Sequence, residues 1–326
     1  MTRFSLYLAV ALGLLAFSGA KAQPSGDNYP TRPIKLVVGY VPGGSPDTVA
    51  RVISQRMGQI LGQPVVVENR VGAGGTLATA QVAKAPADGY TLLLGETGQL
   101  VIAPWLTKQL PYDVLRDFTP VGMVGTTPLV LVANAKTGIR TLQDLVREAR
   151  AKPGQLNYGS SGNGTIHHIA GEVFKADAGI DLMHVPYKGS GQSVPAVISG
   201  DVPVLMTSLT VVLPFVQAGA VNLLGVTSAA RYSELPNVPT LAETLKDYDY
   251  SSEMGILAPA GTPATVIQKL SQALRETLNN AEVQKQFKSG SIIARYTTPA
   301  GYTDNLQRNL RKYEQAVKIA KPDPTN

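Results

Sequence analysis

The chain has 326 residues, a formal charge of +6, 44% hydrophobic residues and no cysteine. That excludes a disulfide framework and thiolate metal chemistry. The charge is mildly basic but is not gathered into a patch interleaved with aromatic residues, which argues against a nucleic-acid partner.

The N-terminus reads as an address rather than as fold. Arg3 precedes a short apolar run over residues 6–17, and Ala20-Lys21-Ala22 is a cleavage pattern before Gln23. Residues 1–22 are therefore expected to be a signal peptide, too short to span a bilayer stably. Without a cysteine there is no lipid attachment site, so the expectation is a soluble periplasmic or secreted protein. Cleavage leaves about 304 residues and a charge of about +4, enough for two domains with separate cores.

The mature chain opens on a near-continuous apolar run, residues 34–40, expected as a strand buried on both faces. Val41-Pro42-Gly43-Gly44-Ser45-Pro46-Asp47 follows, then a helix over residues 48–61 that Ser45 or Asp47 can cap. Residues 64–68 read as the next strand. Val71-Gly72-Ala73-Gly74-Gly75-Thr76 then resembles a dinucleotide fingerprint but fails it, because Leu77 stands where the third glycine belongs. Residues 91–94 form a third strand, emptying into Gly95-Glu96-Thr97-Gly98, with helix up to Trp105. Strand, glycine loop and helix recur three times, which predicts a parallel α/β sheet with its ligand at the strands' carboxyl edge.

Residues 118–124 and 129–133 read as two strands, and residues 141–151 as an amphipathic helix. Then comes Asn157-Tyr158-Gly159-Ser160-Ser161-Gly162-Asn163-Gly164-Thr165, running into a helix that carries His167 and His168. Such a loop cannot pack a core; it presents N–H groups and hydroxyls at a helix N-terminus, where an anion is stabilised. Strands at 182–186, 202–207 and 221–227 alternate with helices over 192–199 and 213–218, repeating the first unit's order. Residues 254–258 are a strand. Helices follow over 265–278, 282–289 and 299–319, expected to pack back on the first unit.

Catalytic and metal patterns are weak. His167 and His168 are neighbours on a helix and diverge by about 100°, so they do not chelate one ion. His168 can meet a ligand or serve as an interior polar side chain. Neither Gly159-Ser160-Ser161-Gly162 nor Gly189-Ser190-Gly191 is a nucleophile elbow, and no cofactor is expected. The binding reading is stronger. Pro42-Gly43-Gly44-Ser45 and the 160–165 loop would clamp a small carboxylate with neutral donors, which cost less to desolvate than charges. Asp47 and Glu96 are a cap and a loop acid, or acceptors for a ligand amino group.

At Tyr40-Val41-Pro42-Gly43-Gly44-Ser45-Pro46-Asp47, Glu68-Asn69-Arg70-Val71-Gly72, Ala87-Asp88-Gly89-Tyr90, Pro111-Tyr112-Asp113, residues 157–170, His184-Val185-Pro186-Tyr187-Lys188-Gly189 and Leu257-Ala258-Pro259-Ala260-Gly261-Thr262-Pro263, the chain resembles the tripartite tricarboxylate transporter receptors, the Bug-type solute-binding proteins. The resemblance implies an α/β, two-domain Venus flytrap of the periplasmic binding protein type, with the ligand cleft between its domains. It implies a monomer that delivers a carboxylate to a two-component membrane permease. The implied domains are residues 23–123 with 250–326, and residues 124–249. Ligand contacts carried over by position are Val41, Pro42, Gly43, Gly44, Ser45 and Asp47, then Gly95, Glu96 and Thr97. In the second domain they are Ser160, Ser161, Gly162, Asn163, Gly164 and Thr165, and His168, Gly189, Thr207 and Ser208 are further candidate ligand residues.

Two departures bear on the ligand. Family members carry an Asp after a Met-Phe pair where this chain has Leu205-Met206-Thr207-Ser208, and a common aromatic is replaced by Glu253. Loss of the Asp removes an acceptor for an ammonium, unless Glu96 or Glu253 substitutes, so a plain mono- or dicarboxylate is expected. An exported α/β hydrolase, marked by an elbow serine beside an acid-supported histidine, and an orphan sensor for a signalling partner stand as the alternatives.

Overall fold

The computed structural model describes residues 28–322; the expected signal peptide lies outside the described residues. The first stretch runs β1 (Ile34–Val38), α1 (Ser45–Leu61), β2 (Val65–Asn69), α2 (Thr76–Ala83) and β3 (Thr91–Glu96), then a π-helical turn (Gly98–Ile102) leading into α3 (Ala103–Leu106). The middle runs β4 (Phe118–Asn134), α4 (Leu142–Ala151), β5 (Asn157–Ser160), α5 (Ile166–Ala178), β6 (Met183–Pro186), α6 (Ser190–Ser199), β7 (Val204–Ser208), α7 (Leu209–Gln217) and β8 (Val221–Val226). The last stretch is β9 (Ser251–Pro259), α8 (Ala264–Leu278), α9 (Ala281–Ser289), β10 (Ile293–Ala294) and α10 (Pro299–Ala320).

Local chemistry sets these boundaries. α1 starts earlier than the periodicity suggests because Pro46 sits in its first turn, where a missing N–H costs nothing. Its N-cap is Gly44, so neither Ser45 nor Asp47 caps it in the ordinary sense. Gly62, left-handed, closes it. α4 begins with a reciprocal capping box between Thr141 and Asp144. α5 is capped by Thr165, whose hydroxyl oxygen accepts from the His168 N–H.

The sheet is mixed, not wholly parallel as its repeating units suggest. Its order is β2-β1-β3-β9-β4-β7-β5-β6, with β8 and β10 also on β4. β1 is parallel to β2 and β3, and β5 to β6 and β7. β9 is antiparallel to both β3 and β4, and β4 is antiparallel to β7 and β8. The two strands expected over 118–133 are one strand of 17 residues. Pro120 and Pro128, which read as punctuation, are accommodated inside it, and register shifts after Pro120 and Met123 absorb the irregularity.

β4 is what organises the fold. Its first part, residues 118–128, pairs with β9, and residues 129–134 pair with β7 and β8. The chain leaves the first group of strands along β4 and returns at β9. Thr227 ties the two passages together: its N–H and hydroxyl both donate to the Leu129 carbonyl, and the hydroxyl also contacts the Tyr250 carbonyl.

One buried cluster joins β1, β3, β9 and β4 to α1, α8 and α9 through Ile34, Leu36, Ile53, Met57, Leu94, Ile256, Leu270 and Phe287. A second joins β4, β7 and β8 to α6 and α7. The largest cluster runs through both groups, and α10 carries it. Tyr302, Leu306 and Tyr313 are buried there, each contributing roughly 1.5–3 kcal/mol. Thus α10 does more than pack back on the first group. It lies against β4, the π-helical turn and α5. The Tyr302 ring rests on Gly255 of β9, where an added Cβ would come within 2.3 Å of ring atoms.

Candidate functional site

The strand directions bring two sets of loops to face each other. β3 and β4 are both antiparallel to β9, so they point the same way; β7, β5 and β6 point the other way. The carboxyl ends of both groups therefore converge on the middle of β4. Glu96, at the end of β3, is level with Met254 and so with Gly125, while Ser208, at the end of β7, is level with Leu129. Four residues of strand separate those levels, about 13 Å at 3.3 Å per residue. The backbone of residues 126–128 spans the gap beside Ser251 and Ser252 of β9, and the paired Thr127 and Ser252 turn their side chains to the floor.

The first-group loop, residues 39–44, is shaped by close approach and by one carboxylate. A Cβ on Gly39 would lie 2.6 Å from the Gly75 Cα, so only glycine lets the two loops touch. Asp47 is 2% exposed. Its Oδ2 accepts from the Gly43 N–H and from Arg51 Nε, both at 2.9 Å, and its Oδ1 from Asn69 Nδ2 at 2.9 Å. Asn69 also donates to the Tyr40 carbonyl at 3.0 Å, fastening β2 to the loop. Burial alone would raise the Asp47 carboxyl, but the bonds from Arg51, Gly43 and Asn69 outweigh it and hold the group below the ordinary carboxylate range. Asp47 is thus occupied in holding the loop. Val41 is exposed, and Ser45 Oγ lies 3.4 Å from Thr127 Oγ1 on the floor.

At the end of β3, Glu96 accepts from Ser252 Oγ, and its carboxylate is a hydrogen-bond partner of the Tyr40 hydroxyl. Burial, reinforced by Glu96, pushes the Tyr40 hydroxyl well above its ordinary value. Thr97 is buried, and its Oγ1 accepts from the Glu253 N–H at 2.8 Å. Glu253 itself points elsewhere. Consecutive strand residues face opposite sides, so Ser252 turns to Glu96 while Glu253 turns to α10 and accepts from Asn309 at 2.7 Å. Of the two acids considered as substitutes for the missing Asp, Glu96 lies at the carboxyl edge and Glu253 does not.

The second-group loop is built on neutral imidazoles. Ser160 is fully buried; its hydroxyl pairs with His184 Nε2 at 2.7 Å, donates to the Gly162 carbonyl and accepts from the Gly162 N–H. His184 stacks on His168 with ring centroids 3.8 Å apart. His168 Nδ1 accepts from the Gly164 N–H at 3.1 Å, so His168 stands behind the loop as a support. Thr165 donates to the Gly162 carbonyl at 2.8 Å. The Gly189 N–H donates to the Ser161 carbonyl, joining the N-terminus of α6 to the same cradle. His167 links two strand ends: its Nδ1 is 2.5 Å from Ser161 Oγ and its Nε2 is 3.1 Å from Ser208 Oγ. Thr207, one residue earlier on β7, is fully buried and lies on the opposite side of the strand from Ser208. Burial pushes His167 down to about 4. Burial first, then His168 and Lys175, push His184 down to about 3.

Residues 41–45, 95–97 and 161–165 with Ser208 are thus at the two facing edges. Ser160, His168 and Thr207 lie beneath one of them, and Asp47 beneath the other. Asn69, Thr127, His167, His184 and Ser252 complete the arrangement. Asn69 and His184 stand inside the quoted motif stretches, but their partners are distant in sequence. His167 was visible only as one of two adjacent histidines. The arrangement lacks the hydrolase signature: His167 is flanked by two serines, with a hydroxyl where a triad holds a carboxylate, and at about 4 it is a poor general base near neutrality.

The family model described as "Tripartite tricarboxylate transporter family receptor" matches residues 49–319. Protein BugT of Bordetella pertussis is 37% identical over 314 residues, covering 94% of this chain and 95% of that one. Among solved structures, R. palustris Rpa4515 with adipate is 31% identical with a TM-score of 0.83, over 91% of this chain and 100% of that one. The periplasmic binding protein BugD is 30% identical with a TM-score of 0.78, over 90% and 99%. The family is one of transporter receptors and BugD is a periplasmic binding protein; the chain likewise has an α/β binding-protein fold and is a receptor rather than an enzyme.

Proposed function

Since the chain belongs to the tripartite tricarboxylate transporter receptor family, we propose that it captures a small carboxylate between its two facing loop edges and hands it to a two-component membrane permease. One domain comprises residues 23–123 and 250–326, the other residues 124–249, and they close on the ligand about the β4 and β9 passages. Residues 1–22 direct the chain to the periplasm, where it acts as a monomer.

The observation that carries this reading is the reversal of strand direction at β4. It sets two helix N-termini, α1 and α5, on opposite sides of a floor of small hydroxyl residues. Each terminus favours an anion by about 0.3–1 kcal/mol, and each charge-assisted hydrogen bond adds about 1.5–3 kcal/mol. Three to five such bonds, net of ordering costs, support binding near −8 kcal/mol, or about micromolar. The adipate held by a relative belongs to the same ligand class.

Calorimetry of ligand-free protein against a panel of mono-, di- and tricarboxylates, amino acids and aromatic acids tests it. At least one carboxylate is expected to bind at micromolar Kd and raise the melting temperature. No heat and no thermal shift from any carboxylate, with turnover of an ester instead, would overturn it.

A further inference from the structure

The imidazole between the two second-group strand ends has a consequence for what those ends can offer. His167 Nδ1 meets Ser161 Oγ at 2.5 Å and its Nε2 meets Ser208 Oγ at 3.1 Å. His167 is buried, and each of its ring nitrogens meets a hydroxyl. A neutral imidazole carries one N–H and one lone pair. One serine must therefore donate its proton to the ring, and the other must accept the ring's proton. The donating serine has only lone pairs left for the cleft. The accepting serine keeps its O–H for a ligand.

We propose that His167 is a positioning residue that sets the hydrogen-bond polarity of the cleft, making one of Ser161 and Ser208 a donor to the ligand and the other an acceptor. Three structural facts support this. Ser208 ends β7 and Ser161 directly follows the last residue of β5, and these parallel strands bring both serines to the same edge. His167 lies in the first turn of α5, whose start is pinned by Thr165 and by the Gly164–His168 bond, so the ring has little freedom to turn away. The neighbouring His184 has a different arrangement: it meets Ser160, whose hydroxyl also bonds the Gly162 backbone and is fully buried. The His167 pair reaches hydroxyls that are part-exposed at the edge.

A carboxylate presents lone pairs alone and can use only the donor serine. A carboxylate with an adjacent hydroxyl can use both. Removing the ring releases both hydroxyls to rotate, so both can donate, and the advantage of the hydroxylated ligand shrinks. This inference rests on the carboxylate-binding reading above.

The test has two arms on the full chain. In the first, 15N spectra of the His167 ring are recorded at pH 7 without ligand. A single neutral tautomer is expected in the wild type, and loss of that lock in Ser208→Ala. A mixture of both tautomers in the wild type, or an unchanged tautomer in Ser208→Ala, would overturn the proposal. In the second arm, calorimetry compares succinate with malate and glutarate with 2-hydroxyglutarate in the wild type and in His167→Phe, which keeps a ring but loses both bonds. The preference for the hydroxylated partner is expected to fall about tenfold, the upper end of one neutral hydrogen bond. Equal weakening of both partners, with the ratio unchanged, would mark His167 as merely structural. If none of the four acids binds the wild type, the ligand reading fails for these probes and the tautomer arm alone decides the proposal.

Discussion

The two loops that face each other across β4 do the same job with opposite chemistry. The first is held by an ionised carboxylate: Asp47 gathers Gly43, Arg51 and Asn69. The second is held by uncharged rings: His167 gathers Ser161 and Ser208, while His168 and His184 brace Gly164 and Ser160. A carboxylate scaffold ties backbone N–H groups down, because an ionised carboxylate only accepts. An imidazole scaffold can both donate and accept, and it leaves serine hydroxyls in a defined sense. The first loop keeps the charge that would repel an anionic ligand out of contact with it, and the second contains no acidic residue. Asp47 is buried under its loop, and burial keeps His167 and His184 neutral near pH 7.

The sharpest way to separate the two is pH, because they fail in different windows. His167 and His184 sit at about 4 and about 3 when folded, below their ordinary value of about 6.5. The unfolded chain takes up these protons first, so stability falls as pH drops from about 6.5 toward those folded values and then levels off. At pH 5 the loss is about 2 kcal/mol for the buried His167 by linkage, and less for the half-buried His184, which solvent screens. A chemical denaturation series from pH 7.5 to 4.5 checks it; His167→Phe should flatten over half of the decline. The Asp47 carboxyl is held below its ordinary value of about 3.9, so its contribution is present above that and lost only as pH falls further. Stability that is flat between pH 7 and 5 would break the comparison.

Next in size is Gly39→Ala. The added methyl meets the Gly75 backbone, which cannot move without shifting both first-group loops, so a cost of about 1–3 kcal/mol is expected, with weakened ligand binding. The corresponding change under the second loop, Thr165→Ala, removes a helix cap and a bond to Gly162 and should cost about 1 kcal/mol. Both are read from denaturation midpoints. Ser161→Ala leaves His167 Nδ1 without its partner and should cost about 1 kcal/mol of stability while raising Kd about tenfold. An unchanged Kd in Ser161→Ala would mean that Ser161 is only scaffold. The smallest effect belongs to Glu253→Gln. Burial already raises this carboxyl, against the pull of Lys312 and Arg295, and it faces α10, so ligand affinity should not change.

Much of this molecule was legible residue by residue. Apolar runs marked β1, β3 and the other strands, and Gly-Ser-Asn loops marked where strands empty into α1 and α5. The 3.6-residue period of the last three helices placed them within a residue or two. Those features are local: a run of valines or a glycine pair constrains the backbone wherever it stands. The direction of β4 relative to its neighbours was not legible. Antiparallel pairing with β9 and β7 joins residues more than seventy positions apart, and Pro120 and Pro128 mimic strand ends. Nor was the division between Ser160, which is buried, and Ser161, which reaches His167. Adjacent serines are equivalent in composition, and only the pleat of β5 and the placement of α5 against it send them to different partners. The sequence by itself determined that two neutral, glycine-rich loops begin two helices. Only the tertiary structure decided that these loops face one another, because facing depends on strand direction, and strand direction is set by partners far along the chain.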